Sequence, residues 1–183
     1  MAADFRIVTL CGSAGALPSY SQFLQLVPQD CGMAFVVLTH RRNGPCWLVP
    51  ILSRITSMPV EEIESGTILR PNHVYVIPVG KDLTTDGRAF WLAPTTVRYG
   101  LPNTFDLFLS SVARWTRKRA VTVILSGEAS DGSAALAELR ASGGINYVEG
   151  DARFSSMPDS AIRTGKVDFV GSPAEIAAAI FAR

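Results

Sequence analysis

Three short apolar runs are each followed by a side chain able to take part in acyl transfer. Ser13 lies three residues past Leu10, and His40 follows Thr39 directly. Asp131 lies six residues past Leu125, in the loop Ser126-Gly127-Glu128-Ala129-Ser130-Asp131-Gly132. A serine hydroxyl can attack a carbonyl carbon, an imidazole can take and return its proton, and a carboxylate can fix the imidazole tautomer and steady its cationic form. The chain order serine, histidine, aspartate is no obstacle, because such triads are defined by geometry and occur in several orders. The G-x-S-x-G elbow of α/β-hydrolases is not met, since Cys11 stands at the position of its first glycine.

These residues can meet only if the runs before them are neighbouring strands. Phe5–Leu10, Ala34–Thr39 and Ala120–Leu125 are continuous and rich in Val, Ile and Leu, the pattern of strands buried on both faces of a parallel sheet. Helical spacing appears over Ser19–Val27, Trp47–Ile55, Phe105–Thr116, Ser133–Ala141 and Ala174–Phe181, with Gly143-Gly144 closing the fourth and Pro173 near the start of the last. The alternation predicts an α/β fold: a doubly wound, mostly parallel sheet with flanking helices. His73–Pro78 and Ala89–Ala93 flank Asp86-Gly87, a tight-turn signal, and predict an antiparallel hairpin near one edge of the sheet. In such sheets the reactive crevice opens at the carboxyl ends of the strands, which is where Ser13, His40 and Asp131 fall.

Each of the three also fits a plainer role. Ser13, within Cys11-Gly12-Ser13-Ala14-Gly15, can be a helix cap or a phosphate-loop serine, and His40 a satisfied structural histidine. Asp131-Gly132 ahead of Ser133 makes a good N-cap, a role compatible with catalysis. The second histidine, His73, begins its strand and so belongs at the wrong end of a parallel sheet.

Composition narrows the classes. With 48% apolar and 18% charged residues in 183, the chain is that of a compact globular protein, expected to fold as one domain over residues 1–183. Its 17 basic and 16 acidic residues nearly cancel, so no global field points to nucleic acid or an anionic membrane. No signal peptide or membrane span is legible, which makes the cytoplasm the expected location. Cys11, Cys31 and Cys46 are odd in number and have no metal-ligand spacing. They read as reduced and mostly structural, with Cys11 a secondary reactive candidate because it neighbours Ser13. No metal or organic cofactor is implied.

A set of longer segments adds a resemblance. Gly12-Ser13-Ala14-Gly15, Phe35–His40, Arg70–Pro78, Lys81-Asp82-Leu83, Phe105–Leu109, Ile124–Gly127, Ser130-Asp131-Gly132 and Met157–Ile162 resemble, in order and spacing, the catalytic domain of CheB-type chemotaxis methylesterases. The resemblance spans nearly the whole chain. It implies hydrolysis of methyl esters on glutamate side chains of chemoreceptors, with deamidation of receptor glutamines as a related activity. It also implies that Ser13, His40 and Asp131 form the triad, and that the partners are methylated chemoreceptor cytoplasmic helices. Family members commonly carry an N-terminal receiver domain that is absent here, so control by phosphorylation within this chain is not expected. Main-chain N–H groups of the Gly12, Ala14 and Gly15 turn and of the Glu128 loop are the oxyanion candidates, each such donor being worth about 3 kcal/mol.

Two departures fall in the site. The family's Ser-Thr-Gly-Gly is Ser13-Ala14-Gly15-Ala16 here, and its Gly-Met-Gly-x-Asp-Gly loop is Gly127-Glu128-Ala129-Ser130-Asp131-Gly132. A Glu128 carboxylate facing the oxyanion at about 5 Å would oppose it by about 3 kcal/mol at an effective dielectric near 20, roughly a hundredfold in rate. That opposition vanishes if Glu128 points to solvent or pairs with Arg41 or Arg42. The two arginines either help hold an acidic receptor helix or form an ordinary solvated pair. The alternatives to an esterase are a catalytically degenerate relative acting as a binding module in a signalling complex, and a nucleotide-binding α/β protein. The second lacks both G-x-G-x-x-G and G-x-x-x-x-G-K-[ST].

Overall fold

The structure is a computed structural model that describes residues 4–40, 46–98 and 101–182. In chain order its elements are β1 Ile7–Gly12, α1 Ala16–Leu24, β2 Ala34–Thr39, α2 Leu48–Leu52, β3 Val60–Glu62, β4 His73–Val76, β5 Lys81–Thr85 and β6 Phe90–Pro94. They continue with β7 Val97–Arg98, β8 Leu101–Pro102, α3 Thr104–Thr116, β9 Ala120–Ile124, α4 Leu136–Ala141, β10 Ile145–Glu149, α5 Ser156–Arg163, β11 Phe169–Gly171 and α6 Pro173–Phe181. Seven strands form one sheet in the order β11-β10-β9-β1-β2-β4-β3, and every pairing in it is parallel.

The continuous apolar runs become the centre of this sheet because both of their faces are covered. Val8 and Leu10 of β1 pack with Phe35 and Val37 of β2 against α1, α2 and α6, through Tyr20, Phe23, Leu52 and Ile176. Ile7 and Cys11 point the other way, with Val36 and Leu38, into a core built by α3, α4, α5 and the hairpin through Phe105, Phe108, Leu136, Met157 and Phe90. At about 25 cal/mol per Å² of apolar surface removed from water, these two layers supply the main drive for folding.

The hairpin differs from its sequence-based outline. The turn at Asp86-Gly87 joins β5 to β6 in a separate two-stranded antiparallel sheet, while His73–Val76 enters the main sheet beside β2. Val74, Tyr75 and Val76 are fully buried, as an internal parallel strand requires. His73 opens β4 at the amino edge, with its Nδ1 3.0 Å from the Pro71 carbonyl oxygen, as a structural histidine would. Among the described residues no helix is long and apolar enough to cross a membrane.

Candidate active site

Chain order reverses at the centre of the sheet. From β1 the chain runs outward through β2 toward β4 and β3, then returns on the far side of β1 to lay down β9, β10 and β11. Ligand crevices of open α/β sheets form at such a switch point, beyond the carboxyl ends of the strands. Ser13 follows the last residue of β1, His40 the last of β2, and Asp131 lies in the loop after β9.

Asp131 is the most heavily bonded of the three. Its side chain is 3% exposed, and Oδ2 lies 2.7 Å from His40 Nε2. The same oxygen accepts from the Phe105 amide at 2.9 Å, and Oδ1 accepts from the Asp106 amide at 3.0 Å. Those amides belong to the first turn of α3, where no intrahelical acceptor exists, and the N-cap residue Asn103 makes no capping bond. Asp131 therefore caps a helix as its setting in the sequence suggests, but the helix is α3 rather than the one that follows it. The Phe105 ring stacks on the His40 imidazole at a centroid separation of 4.0 Å and an interplanar angle of 6°. Two residues of one helix turn thus fix both the carboxylate and the plane of the ring.

Ser13 and His40 line one cleft of about 470 Å³, together with Ala14, Leu17, Tyr20, Thr39, Trp47, Leu48 and Ile51. The Ser13 amide donates to the Ser126 carbonyl at 2.9 Å, so the amide of the serine itself is committed to structure. The amides of Ala14 and Gly15 have no acceptor among the described residues. Gly15 adopts φ +70°, a left-handed conformation that favours glycine, and this turns the chain into α1. Ala16, the methyl-bearing departure, is buried in the core beneath α1 and does not line the cleft.

The second departure lies at the surface. Glu128 is exposed, and among the described residues it forms no ion pair. Ala129 holds φ +73° where the family pattern has glycine. Gly127 packs against Ser13: a Cβ built on it would lie 3.2 Å from Ser13 Cβ and collide with the sulfur of Met157. Arg41 and Arg42 lie outside the described residues. Cys11 is fully buried, and burial, followed by the charges of Asp131 and Asp106, pushes its thiol well above the ordinary range, so it stays protonated and unreactive.

Several participants carried no chemical signature in the sequence. Phe105 and Asp106 stand in a segment whose similarity was plain, yet a phenyl ring at helical spacing reads as core. Ser126 and Glu149 share a bond whose partners lie 23 residues apart. Among the described residues no group of three or more His, Cys, Asp or Glu is placed to hold a metal ion.

Comparison with known proteins then decides the family. The CheB methylesterase family profile matches residues 8–180. This chain belongs to the CheB methylesterase family. Over 90% of its length it is 28% identical to a Photorhabdus laumondii protein named protein-glutamate methylesterase/protein-glutamine glutaminase, covering 49% of that protein. A Leptospira interrogans protein with the name putative protein-glutamate methylesterase/protein-glutamine glutaminase is 26% identical over 95% of the chain and 92% of its own length. An uncharacterised 104.1 kDa protein of Rhodobacter capsulatus is 40% identical over 66% of the chain, which covers 13% of it. The chain thus spans about half or less of the length of the curated relatives first matched. The Thermotoga maritima CheB methylesterase catalytic domain superposes with a TM-score of 0.90 over 98% of this chain and 99% of that one, at 23% identity, and so has the same fold.

Proposed function

We propose that this chain is a serine hydrolase that removes methyl esters from glutamate side chains of chemoreceptors, and deamidates receptor glutamines, through Ser13, His40 and Asp131. The observation that carries the reading is the 2.7 Å bond between His40 Nε2 and Asp131, with His40 and Ser13 in one cleft at the carboxyl edge of the sheet. Because Nε2 is bonded to the carboxylate, Nδ1 is the nitrogen left to serve as base.

In this mechanism His40 Nδ1 takes the Ser13 proton as Oγ attacks the ester carbonyl. The tetrahedral oxyanion collapses, His40 protonates the departing methoxide to methanol, and an acyl-serine remains. Water, deprotonated by the same nitrogen, then attacks the acyl carbon and releases the glutamate carboxylate and Ser13. The amides of Ala14 and Gly15, at the N-terminus of α1, are the oxyanion donors favoured by having no acceptor among the described residues, and each such donor lowers the barrier by about 3 kcal/mol. Leu17, Trp47 and Ile51 form an apolar wall suited to the methylene and methyl groups of a glutamate ester, and Trp47 is 58% exposed at its rim.

The test is methanol release from methyl-esterified chemoreceptor cytoplasmic fragments by the wild-type chain and by Ser13→Ala. Release by the wild type, falling by about 10⁴-fold or more in the variant, is the expected result. Absence of release from several receptors, with no labelling of Ser13 by a fluorophosphonate, would leave a binding module instead.

A further inference from the structure

Asp131 and Glu149 are both buried carboxylates at the carboxyl edge of the sheet, and the proposed mechanism uses only Asp131. The other, Glu149, ends β10 and is 7% exposed. Its Oε1 accepts from Ser19 Oγ at 2.9 Å and its Oε2 accepts from the Ser126 amide at 2.8 Å. It has no cationic partner among the described residues. A buried carboxylate held by two neutral donors is a costly way to join secondary structure, since an apolar side chain of like size would fill the space without the desolvation.

What the carboxylate joins is the surroundings of Ser13. Ser126 uses all its hydrogen-bonding groups there. Its amide donates to Glu149, its carbonyl accepts from the Ser13 amide at 2.9 Å, and its hydroxyl donates to the Ala14 carbonyl at 2.8 Å while accepting from the Phe154 amide at 3.1 Å. Ser19 lies in the first turn of α1, directly after the Ser13 turn. Glu149 therefore grips the turn from both sides, through Ser126 on the β9 side and through Ser19 on the α1 side. None of its bonds reaches the cleft.

We infer that Glu149 is a positioning residue, which through Ser126 and Ser19 presets the Ser13 hydroxyl and the free amides beside it for attack. The inference rests on the serine esterase reading above. Misplacing a reacting group by about 1 Å is enough to cost on the order of a hundredfold in rate, so a lost clamp is visible in kcat. A merely structural carboxylate would change the melting temperature and leave the turnover of the folded protein alone.

The chain is compared with Glu149→Gln, Glu149→Met and Ser19→Ala, well below the melting temperature of each. Methanol release and the rate of labelling by a fluorophosphonate are both measured. Glutamine can turn its Oε1 to the Ser126 amide and its NH₂ to Ser19 Oγ, so it should keep kcat within about threefold of wild type. Methionine should lower kcat and the labelling rate about 30-fold with KM within about twofold. Ser19→Ala, which cuts the link from Glu149 Oε1 to α1 and leaves the carboxylate in place, should lower both about tenfold, and it decides the matter if Glu149→Met does not fold. Wild-type rates in a folded Glu149→Met, or in Ser19→Ala where the methionine variant is lost, overturn the inference and leave the esterase reading intact. A wild type that neither releases methanol nor labels overturns both.

Discussion

On the side of the site proposed for acid-base work the anchoring bonds end on side chains: the Asp131 carboxylate accepts three hydrogen bonds, and the His40 ring lies flat on Phe105. On the side of the proposed nucleophile they end on the main chain. The Ser13 amide and the Ala14 carbonyl are tied to Ser126, and the Ser13 hydroxyl itself is tied to nothing among the described residues. A base must keep one ring orientation throughout turnover, whereas a nucleophile must leave its place to form a bond. The contrast teaches that pre-organisation here constrains the frame of the serine and the whole body of the histidine.

The sharpest way to break this comparison is Asp131→Asn. One amide group cannot accept from His40 and both α3 amides as a carboxylate does. Turnover is expected to fall about 10⁴-fold, as in triads whose histidine loses its orienting carboxylate. Stability should fall by about 1–3 kcal/mol, because a buried donor is left without an acceptor. Methanol release and urea unfolding of the same preparation check the two losses together.

Glu128→Gln probes the opposite expectation. With the side chain exposed, removing its charge should change kcat by less than about threefold, against the roughly hundredfold gain expected of a carboxylate facing the oxyanion. A large gain in methanol release would mean that the loop closes over the substrate.

A smaller effect belongs to Ala129→Gly. The left-handed φ of +73° carries a Cβ penalty that glycine lacks. Relief of it should add about 1 kcal/mol and raise the melting temperature by about 3 °C, measurable by thermal unfolding. The smallest concerns Asp106, whose side chain accepts from the Ala135 amide at 2.9 Å. Burial, then the charge of Asp131, raises its carboxyl above the ordinary aspartate range. The folded state consequently holds that proton more tightly than the unfolded chain does. The stability it contributes is full below the unfolded pKa and is lost as pH rises through the folded one. Asp106→Asn should flatten this slope in urea titrations carried upward in pH from the ordinary aspartate range.

Sequence reading located the sheet centre because Ala34–Thr39 and its neighbours are apolar on both faces, and it selected Ser13, His40 and Asp131 as candidates because they follow strand ends, where such sheets open their crevices. It placed His73–Pro78 in the hairpin because local turn signals say nothing of a partner strand chosen from elsewhere in the chain; Val74 to Val76 found theirs in β2. Ile145–Glu149 escaped notice as a strand, since Asn146 and Glu149 interrupt its apolar pattern. Both residues are buried by bonds to distant groups: Asn146 to the Leu136 and Lys166 carbonyls, Glu149 to Ser19 and Ser126. Polar residues satisfied only by the tertiary fold are the ones that local pattern misreads.

The double duty of Asp131 bears on how relatives of this chain can drift. Active-site residues are often held at a cost, so that losing them makes a protein sturdier and lets inactive descendants accumulate freely. On the proposed esterase reading, the acid that orients His40 also closes the open end of α3, and a lineage that abandoned hydrolysis would still be selected to retain it. Ser13, whose hydroxyl bonds to no other group among the described residues, is free of that constraint. Among such descendants, an intact aspartate at this position records that the helix is anchored, while the serine is the more faithful witness that the chemistry survives.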